Sequence, residues 1–354
     1  MHTDFSTSLN STQDEIRDKF TPKKNNSQYL SAIYAHIGEE SRSRRVFHCA
    51  DILEFALSEN EHKLFHADFC KDRFCPMCQF RRSLKVFGQV SACMDELDKD
   101  MEGYVYLFLT LTIKNPSLDD LEQGFLDLKC AFNRLLHRKA FCDVVCGGFY
   151  SIEITCNSSR SEFHPHIHCI LAVRKSYFHK SYISQAKWAQ IWQKCLKVDY
   201  LPVVDVRRVK GAIFDGSRVD YSRVVAEIAK YSVKDKDFLI LDDIALSERV
   251  LSKLVSTLNY KKMCGFFGCF ADVRKRLQLD DIENGDLVNT DNNAIRIDVA
   301  TLVVTYRWTG GMYSVARTGS NSALVVTSAA EPAGRRAKSP FLTQVQSVGA
   351  PDPR

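Results

Sequence analysis

The chain has 354 residues, which is enough for more than one domain and a sizeable core. Its 45% hydrophobic and 26% charged residues are typical of a globular protein, and its net charge of +5 permits a nucleic-acid partner without requiring one. No apolar run approaches the roughly 18 residues of a membrane span, and the first residues lack the regions of a signal peptide. We therefore expect a cytoplasmic protein with no membrane partner, in which cysteines ligate metals or are buried.

Composition divides the chain into five segments. We predict a flexible leader over 1–40, a basic and cysteine-rich segment over 41–100, and a main domain over 101–240. A helical C-terminal extension follows over 241–314. Residues 315–354 are rich in Ser, Ala, Thr, Gly and Pro, which predicts a disordered tail.

Four cysteines stand in the second segment. Cys75 and Cys78 form a Cys-x-x-Cys unit shortly after Cys70. Two sulfurs of one tight turn can reach one ion, and Cys49 is the natural fourth ligand of a tetrahedral Zn²⁺ site that staples a segment without its own core. A histidine could take the fourth position instead, the candidates being His48, His62 and His66. A redox pair or unrelated buried cysteines are the alternatives.

Basic residues accompany these cysteines. Arg73, Arg81, Arg82 and Lys85 lie on or beside the predicted zinc knuckle. We expect them to contact DNA phosphates, in which case DNA binding weakens as the salt concentration rises. The alternative is that they form an ordinary solvated surface.

The main domain alternates strand and helix patterns. Tyr104–Thr112 is β-rich and mostly apolar, which is typical of a buried central strand. Ser117 and Asp120 resemble a capping box ahead of a helix with apolar residues at helical spacing. The later elements are strands over 149–155, 166–173 and 200–209, and helices over 183–195, 223–234 and about 242–258. This order predicts an α+β fold with a mainly antiparallel sheet packed against helices.

Two histidines alternate with apolar residues on the strand over 166–173. Alternate side chains of a strand point to the same side, so His166 and His168 share one face, while Ile167 and Cys169 face the core. Two neighbouring imidazoles are half of a divalent-metal site. One His-x-His pair is a weak motif by itself, because many such pairs arise by accident.

Glu153 strengthens the metal interpretation. If the strands over 149–155 and 166–173 form a hairpin, a turn centred between 159 and 160, or between 160 and 161, places Glu153 opposite His166 or His168. Directly opposed residues project from the same face. Glu153 would then complete a site with open positions, which suits Mg²⁺ or Mn²⁺ bound to phosphate. The alternative is an ordinary exposed glutamate.

A tyrosine stands among charged residues near the end of the main domain. Glu227, Tyr231 and Lys234 recur at helical spacing and would form one helix face. A tyrosine hydroxyl is a poor nucleophile at neutral pH, but a cation from Lys234, with Lys230 adjacent, makes its attack feasible. Glu227 can accept a proton from the tyrosine, from water or from an incoming hydroxyl. The alternative is a surface tyrosine among charge pairs.

Four segments together resemble a known family. FLTLT at 108–112, HPHIHCIL at 164–171 and EIAKYSVK at 227–234 occur in the order of the three motifs of rolling-circle plasmid replication initiators. CKDRFCPMCQFRR, preceded by RVFHCADILEF, is similar to the region ahead of the first motif in initiators with a single tyrosine. The resemblance runs from about residue 44 to about residue 310. Each motif is loose alone, so their order carries the assignment to these His–hydrophobe–His endonucleases.

The resemblance implies a five-stranded antiparallel sheet with the histidines on a central strand. It also implies a metal-dependent nick at a plasmid's double-strand origin, exposed as single strand or hairpin, with a covalent 5′-phosphotyrosine on Tyr231. By matching positions, His166 and His168 become metal ligands, and Glu227 activates water for the terminating cleavage. A host helicase and polymerase are the further partners. Tyr221 is not expected to be a second catalytic tyrosine, because its helical position points away from Tyr231.

Two other functions stay open on the sequence. A transposase or conjugative relaxase uses the same chemistry, although relaxases usually place the tyrosine before the histidine motif. A zinc-finger DNA-binding regulator without catalysis would explain the cysteines and arginines. It would leave the histidine pair and the Glu–Tyr–Lys helix face unexplained.

Overall fold

The computed structural model describes residues 6–58, 61–100, 103–157, 162–214, 218–230, 233–240, 242–290 and 302–320. The helices are α1 (Ser6–Glu15), α2 (Thr21–His36), α3 (Glu40–Phe47), α4 (Pro76–Leu97), α5 (Leu121–Leu136), α6 (Lys139–Cys142), α7 (Tyr177–Lys180), α8 (Gln185–Leu196), α9 (Ser222–Ile228), α10 (Ile244–Leu258) and α11 (Cys269–Arg276). The strands are β1 (Ile52–Leu57), β2 (His62–Ala67), β3 (Tyr104–Thr112), β4 (Val145–Asn157), β5 (Glu162–Arg174), β6 (Val204–Arg208), β7 (Ala212–Phe214), β8 (Arg218–Asp220), β9 (Cys264–Gly268), β10 (Leu302–Thr309) and β11 (Met312–Ser320). Within these residues, none of the helices combines the length and the apolar character needed to cross a bilayer.

A five-stranded antiparallel sheet forms the centre of the fold, in the order β6-β3-β5-β4-β9. The strand that carries the histidines, β5, is therefore the middle strand, as the resemblance implied. Strands β4 and β5 form the long hairpin expected from the turn-rich segment between them. The α+β prediction is confirmed.

Helices cover both faces of this sheet. On one face, Ile167, Cys169, Leu171 and Val173 are fully buried in the larger core, together with apolar residues of α5, α8 and α10. The opposite face packs against α4, α9 and α11 in a second core. His166 and His168 lie on this second face, so these helices shield part of their surroundings from water.

The Gly-rich sequence MCGFFGCF, at residues 263–270, contains the edge strand β9, which we did not predict from the sequence. Gly147 of β4 pairs with Gly268 of β9, and a Cβ at Gly147 would collide with the backbone nitrogen of Cys269. Gly268 also has a φ of +54°, in the left-handed region that glycine tolerates best. Only small residues let these two backbones approach each other here. The predicted helical extension thus also contains strands, β9 and β10.

A second, four-stranded sheet has the order β11-β10-β1-β2. Strand β1 pairs with β10, so the cysteine-rich segment and the C-terminal extension share one sheet across the boundary predicted between them. Strand β11 includes residues 315–320, so the tail predicted from 315 begins in a strand. Residues 321–354, the rest of that predicted tail, lie outside the described residues.

The predicted flexible leader is wrong for residues 6–36. These residues form α1, a π-helical turn over Ile16–Phe20, and α2. Phe20 and Leu30 are fully buried, and Phe20 packs edge-on against Phe55 of β1 with ring centroids 6.0 Å apart. This segment has few apolar residues, but their positions let the helices bury them. The prediction failed because it relied on the polar composition alone.

Candidate active site

Three side chains converge on the second face of the central sheet. Glu153 of β4 stands directly opposite His166 of β5, and Ser151 stands opposite His168. The predicted register is confirmed, with the hairpin centred between residues 159 and 160. Glu153 Oε2 lies 3.4 Å from His166 Nε2 and 3.5 Å from His168 Nε2, and the two Nε2 atoms are 3.0 Å apart. We call these three residues the Glu–His–His cluster.

The two imidazoles are held so that both Nε2 atoms face Glu153. His166 Nδ1 donates to the carbonyl oxygen of His164 at 2.9 Å, which leaves the lone pair on Nε2. His168 Nδ1 lies 3.0 Å from the Thr110 hydroxyl of β3. Such contacts to the far nitrogen of an imidazole fix its orientation toward a metal. The cluster is also buried, with His166 6% and Glu153 5% exposed.

The geometry of the Glu–His–His cluster fits a divalent cation. Ligand atoms at about 2.1 Å from a metal on adjacent corners of an octahedron lie about 3.0 Å apart. The three distances within the cluster, 3.0–3.5 Å, are close to this value. Three ligands leave the opposite positions open for water or phosphate oxygens. The donor set, two imidazoles and one carboxylate, suits several divalent ions, so it does not select one metal.

The second oxygen of the Glu153 carboxylate is bound by a lysine. Lys234 Nζ lies 2.6 Å from Glu153 Oε1. Burial raises the pKa of the Glu153 carboxyl, but its contacts with His166, His168 and Lys234 outweigh burial and hold this pKa well below its usual range. Burial lowers the pKa of Lys234, and the bond to Glu153 outweighs it and raises that pKa. The pair is therefore a carboxylate and an ammonium at neutral pH.

Lys234 reaches the cluster by a different route from the predicted one. Helix α9 ends at Ile228, and Lys234 has an extended backbone (φ −76°, ψ 146°) ahead of a 3₁₀ turn over Asp235–Asp237. The expected helix face of Glu227, Tyr231 and Lys234 is therefore wrong for Lys234. Val233 is 1% exposed, so its side chain anchors the extended segment in the core.

The remaining predicted catalytic residues are distributed unevenly. Glu227 and Lys230 pair with each other, with Lys230 Nζ 2.5 Å from Glu227 Oε2, and both side chains are partly exposed. Within the described residues, neither contacts the Glu–His–His cluster. Tyr231 lies outside the described residues. Tyr221 packs edge-on against Tyr106 with centroids 5.2 Å apart, as a core residue does.

The four predicted cysteines form a second cluster. Cys49 Sγ and Cys70 Sγ each lie 3.6 Å from Cys78 Sγ, and all four sulfurs, including that of Cys75, are within 4.8 Å of one another. Four sulfurs bound tetrahedrally to Zn²⁺ at about 2.3 Å would be about 3.8 Å apart. This four-cysteine cluster could hold a metal ion, and its spacing fits zinc.

Histidine contacts agree with that assignment of ligands, while the thiols of the cluster differ in their pKa. Burial raises the pKa of the Cys75 thiol, but hydrogen bonds from the other three cysteines and from Ser27 outweigh burial and lower it. Hydrogen bonds within the cluster and burial raise the pKa of the Cys49 thiol. His48 bonds to Asp51 and His62 bonds to Glu15, at 2.8 Å and 2.6 Å. Cys49, rather than one of the candidate histidines, is therefore the fourth member of the cluster.

Two of the four basic residues expected to contact DNA are used inside the protein. Arg81 is 6% exposed and donates to the carbonyl oxygens of Leu287 and Val288, at 2.9 Å and 2.6 Å. Lys85 is 2% exposed and bonds to Asp280 Oδ2 at 2.6 Å. Both tie α4 to the segment over 280–290, so the expected phosphate contacts do not hold for them.

The other two residues, Arg73 and Arg82, are partly exposed. Arg73 donates to the carbonyl oxygen of Lys261 at 2.6 Å, and Arg82 donates to that of Asp72 at 3.0 Å. Both line an open cavity, where their charge can meet a ligand. Their contact with DNA stays a prediction.

Sequence reasoning missed two residues that support the clusters. Thr110 holds His168, and its signal was a polar residue facing the histidines from an otherwise apolar strand. Lys24 of α2 is fully buried and donates to the carbonyl oxygens of Phe47 and Cys49, at 2.7 Å and 2.8 Å. It fixes the loop that presents Cys49. No local pattern marks a buried lysine in a polar helix, so this role was not visible in the sequence.

Comparisons with known proteins agree with the motif order. The family described as "Replication protein" matches residues 61–314. A "Protein rep" of Streptococcus pneumoniae is 37% identical over 282 residues, which cover 78% of this chain and 84% of the relative. Another from a Bacillus species is 33% identical over 297 residues, covering 78% and 94%. One from Staphylococcus aureus is 34% identical over 228 residues, covering 63% and 95%.

No solved structure matches this chain. The family match spans most of the chain and includes the cysteine block, the histidine strand and the tyrosine segment. The chain therefore belongs to the replication protein family, that of the Rep initiators.

Proposed function

We propose that this protein initiates rolling-circle replication of a plasmid by nicking one strand of the double-strand origin and keeping the 5′ end on Tyr231. The observation that carries the proposal is the Glu–His–His cluster, which has open ligand positions and is joined by Lys234 to the chain segment that contains Tyr231. Family membership supports replication over transposition or conjugation. A non-catalytic regulator would have no use for a buried metal-ligand cluster with open positions.

Glu153, His166 and His168 would hold a catalytic Mg²⁺ or Mn²⁺. Bound there, the cation supplies positive charge to the scissile phosphate and lowers the cost of the charge that develops on it. The protein's part is to present three fixed ligands on a rigid sheet. Thr110 and the His164 carbonyl prevent the imidazoles from turning away.

Lys234 positions Glu153 and adds a second positive charge beside the phosphate. One carboxylate oxygen of Glu153 faces the imidazoles and the other is neutralised by Lys234 Nζ. A cation at this place also favours the deprotonated form of a nearby phenol. Because Lys234 follows Tyr231 by three residues in the sequence, the same short segment supplies the nucleophile and the cation.

The covalent step exchanges one phosphodiester for another. The Tyr231 hydroxyl oxygen attacks phosphorus and gives up its proton to water. The bond from phosphorus to the 3′ oxygen breaks, and that oxygen takes up a proton to become a free 3′ hydroxyl. A host polymerase extends this end while a helicase unwinds the duplex.

Glu227 acts in termination. After one round of synthesis it accepts a proton from water or from the incoming hydroxyl and so assists the transfer that releases the circle. Glu227→Ala should therefore still nick but should terminate poorly.

The four-cysteine cluster has a structural role in this proposal. Cys75 occupies the N-cap position of α4 and Cys78 lies in its first turn, and α4 covers the face of the sheet that carries the histidines. A Zn²⁺ bound there fixes the start of α4. Its four protein ligands leave no open position for substrate.

The test is formation of a denaturation-resistant DNA adduct. The full-length protein is incubated with a labelled single strand of its plasmid's double-strand origin and Mn²⁺, and the products are separated under denaturing conditions. We expect an adduct that needs Mn²⁺, disappears in Tyr231→Phe and persists in the control Tyr221→Phe. An adduct that persists in Tyr231→Phe would overturn the proposal, and so would an origin strand that is bound but never cut.

A further inference from the structure

Beside the Glu–His–His cluster, the chain forms a cavity that the nicking chemistry does not use. Its walls come from the cysteine-rich segment, α4, β4, the residues that follow α9, and residues 263–264 and 282–284. Its volume is about 120 Å³, well above the roughly 15 Å³ that one water needs. Ser151, which lines it, is paired with His168 and shares a strand face with Glu153, two residues away. The cavity therefore adjoins the proposed cleavage site.

One buried polar atom of the cavity wall has no partner. Gln79 of α4 is 4% exposed, and its Nε2 donates to the carbonyl oxygen of Arg73 at 3.0 Å, which fixes the orientation of the amide. Gln79 Oε1 makes no hydrogen bond within the described part of the chain. A buried acceptor without a partner is unfavourable, so an exception of this kind calls for an explanation. A ligand that offers an N–H group would satisfy it.

The rest of the wall combines apolar surface with an excess of positive charge, since Glu283 is the carboxylate among the lining residues and lies 3.6 Å from Arg73. Val86, Ala229 and Ile282 are buried apolar residues that line the cavity. Lys71 and Arg82 bond to backbone carbonyl oxygens, which are neutral, so their charges stay available to an anion. A flat apolar ring with N–H groups on its edge and a phosphate attached is the chemistry of a nucleotide.

We propose that this cavity binds one unpaired base of the strand to be nicked. An N–H group of the base donates to Gln79 Oε1, the apolar residues contact its faces, and a neighbouring phosphate lies against Lys71 and Arg82. Holding one base in this cavity would set which phosphate reaches the Glu–His–His cluster. The inference rests on the proposed function only in naming the nicked strand as the ligand.

The experiment measures how much of the protein's affinity for single-stranded DNA depends on bases. Full-length protein with Tyr231→Phe is titrated by fluorescence anisotropy against oligodeoxycytidylate of about 12 nucleotides and against an abasic phosphodiester chain of the same length. Cytosine carries an exocyclic amino donor, and the abasic chain offers only the backbone. We expect the base-containing strand to bind at least about tenfold more tightly.

Two further variants place this preference in the cavity. Gln79→Met keeps the size of the side chain and removes its acceptor, and it should lower the preference about fivefold or more while leaving abasic binding unchanged. The matched control is Gln89→Met, on the same helix. Gln89 is 3% exposed and its Oε1 also has no partner among the residues that the structure describes, but it does not line the cavity, so the preference should persist. Ser83→Leu, at the half-buried rim, fills the cavity and should abolish the preference even if Gln79→Met fails to fold.

The outcomes separate this inference from the proposed function. Equal binding of both strands, an equal loss in Gln79→Met and Gln89→Met, or an unchanged preference in Ser83→Leu would overturn the base site. If the base preference holds but protein with Tyr231 forms no adduct, the cavity remains a base-binding site and the nicking proposal fails. If an adduct forms without any base preference, only the cavity assignment fails.

Discussion

The four-cysteine cluster and the Glu–His–His cluster differ in what they leave free. The cysteines surround one point with four sulfurs and bury it under α2 and the second sheet. The Glu–His–His cluster gives three ligands on one face of a sheet, with a lysine on the spare carboxylate oxygen. A closed tetrahedral site can only stabilise the chain, whereas an open one can also bind a substrate.

The two clusters are also assembled differently. Three of the cysteines come from nine consecutive residues, 70–78, so a local turn nearly completes that site. The Glu–His–His cluster depends on the pairing of two strands, since a slip of one residue would turn the histidines to the other face. Loss of one ligand should therefore unfold the four-cysteine cluster, whereas at the Glu–His–His cluster it should abolish activity and leave the fold intact.

The largest expected effect tests the structural role of the cysteines. Cys75→Ser removes one ligand and leaves three buried sulfurs around an incomplete site, so it should lower the free energy of unfolding by several kcal/mol. Thermal unfolding and the zinc content of the purified protein measure this. Cys130→Ser, at an exposed cysteine, is the control and should change neither. Full zinc content and an unchanged melting temperature in Cys75→Ser would contradict the structural role of the four-cysteine cluster.

The next effect tests the open site. His166→Ala and His168→Ala should each reduce the rate of Mn²⁺-dependent adduct formation more than about 100-fold, because loss of a mere supporting contact already costs 10- to 100-fold. The melting temperature should fall far less than in Cys75→Ser. His179→Ala, at an exposed histidine of α7, serves as control and should cleave normally. Normal cleavage by His166→Ala would remove the catalytic assignment.

A smaller effect tests the lysine that holds Glu153. Lys234→Ala leaves all three metal ligands in place but frees the carboxylate. We therefore expect the Mn²⁺ concentration needed for half-maximal cleavage to rise about 10-fold. Mn²⁺ titration of the cleavage rate measures it. Lys236→Ala removes a nearby exposed lysine without a contact to Glu153 and should behave like the native protein. Equal behaviour of the two variants would show that the ion pair is incidental.

The smallest effect concerns the turn that carries Lys234. Asp237 is 6% exposed, its Oδ2 has no hydrogen-bond partner within the described residues, and burial raises its pKa. The folded state therefore holds this proton more tightly than the unfolded state. The stability that Asp237 contributes is fully present below the usual carboxyl pKa and is lost as pH rises through the raised value.

Asp237→Asn, which is neutral at every pH, should thus stabilise the protein by about 1 kcal/mol at pH 7 and by less at pH 4. Thermal unfolding at the two pH values measures this, with exposed Asp242→Asn as control. A loss of stability at pH 7 would mean that the charge of Asp237 supports the fold. A gain at pH 7 would show that the buried charge of Asp237 costs stability.

Much of the active site could be predicted because its signals are local. The alternation of histidines with buried residues identified the face of β5, and the turn-forming residues centred the hairpin to within one residue. The close spacing of Cys70, Cys75 and Cys78 likewise identified three sulfurs. In each case a short-range pattern corresponds directly to a geometric relation, the pleat of a strand or the reach of one turn.

The rest depends on contacts between distant parts of the chain. Strand β1 pairs with β10, about 250 residues later, and no local pattern identifies that partner. The charge spacing after α9 suggested a continuing helix, yet Lys234 has an extended backbone and bonds to Glu153. Arg81 and Lys85 look like surface cations in the sequence, because only the fold shows the carbonyl and carboxylate oxygens they bind.

The central claim is that the Glu–His–His cluster directs one phosphodiester to Tyr231. The most direct measurement is peptide mapping, by tandem mass spectrometry, of the covalent product formed with the origin strand and Mn²⁺. We predict that the nucleotide is attached to the peptide that contains Tyr231, and that His166→Ala yields no labelled peptide. A nucleotide on any other residue, or undiminished labelling of Tyr231 in His166→Ala, would contradict the account.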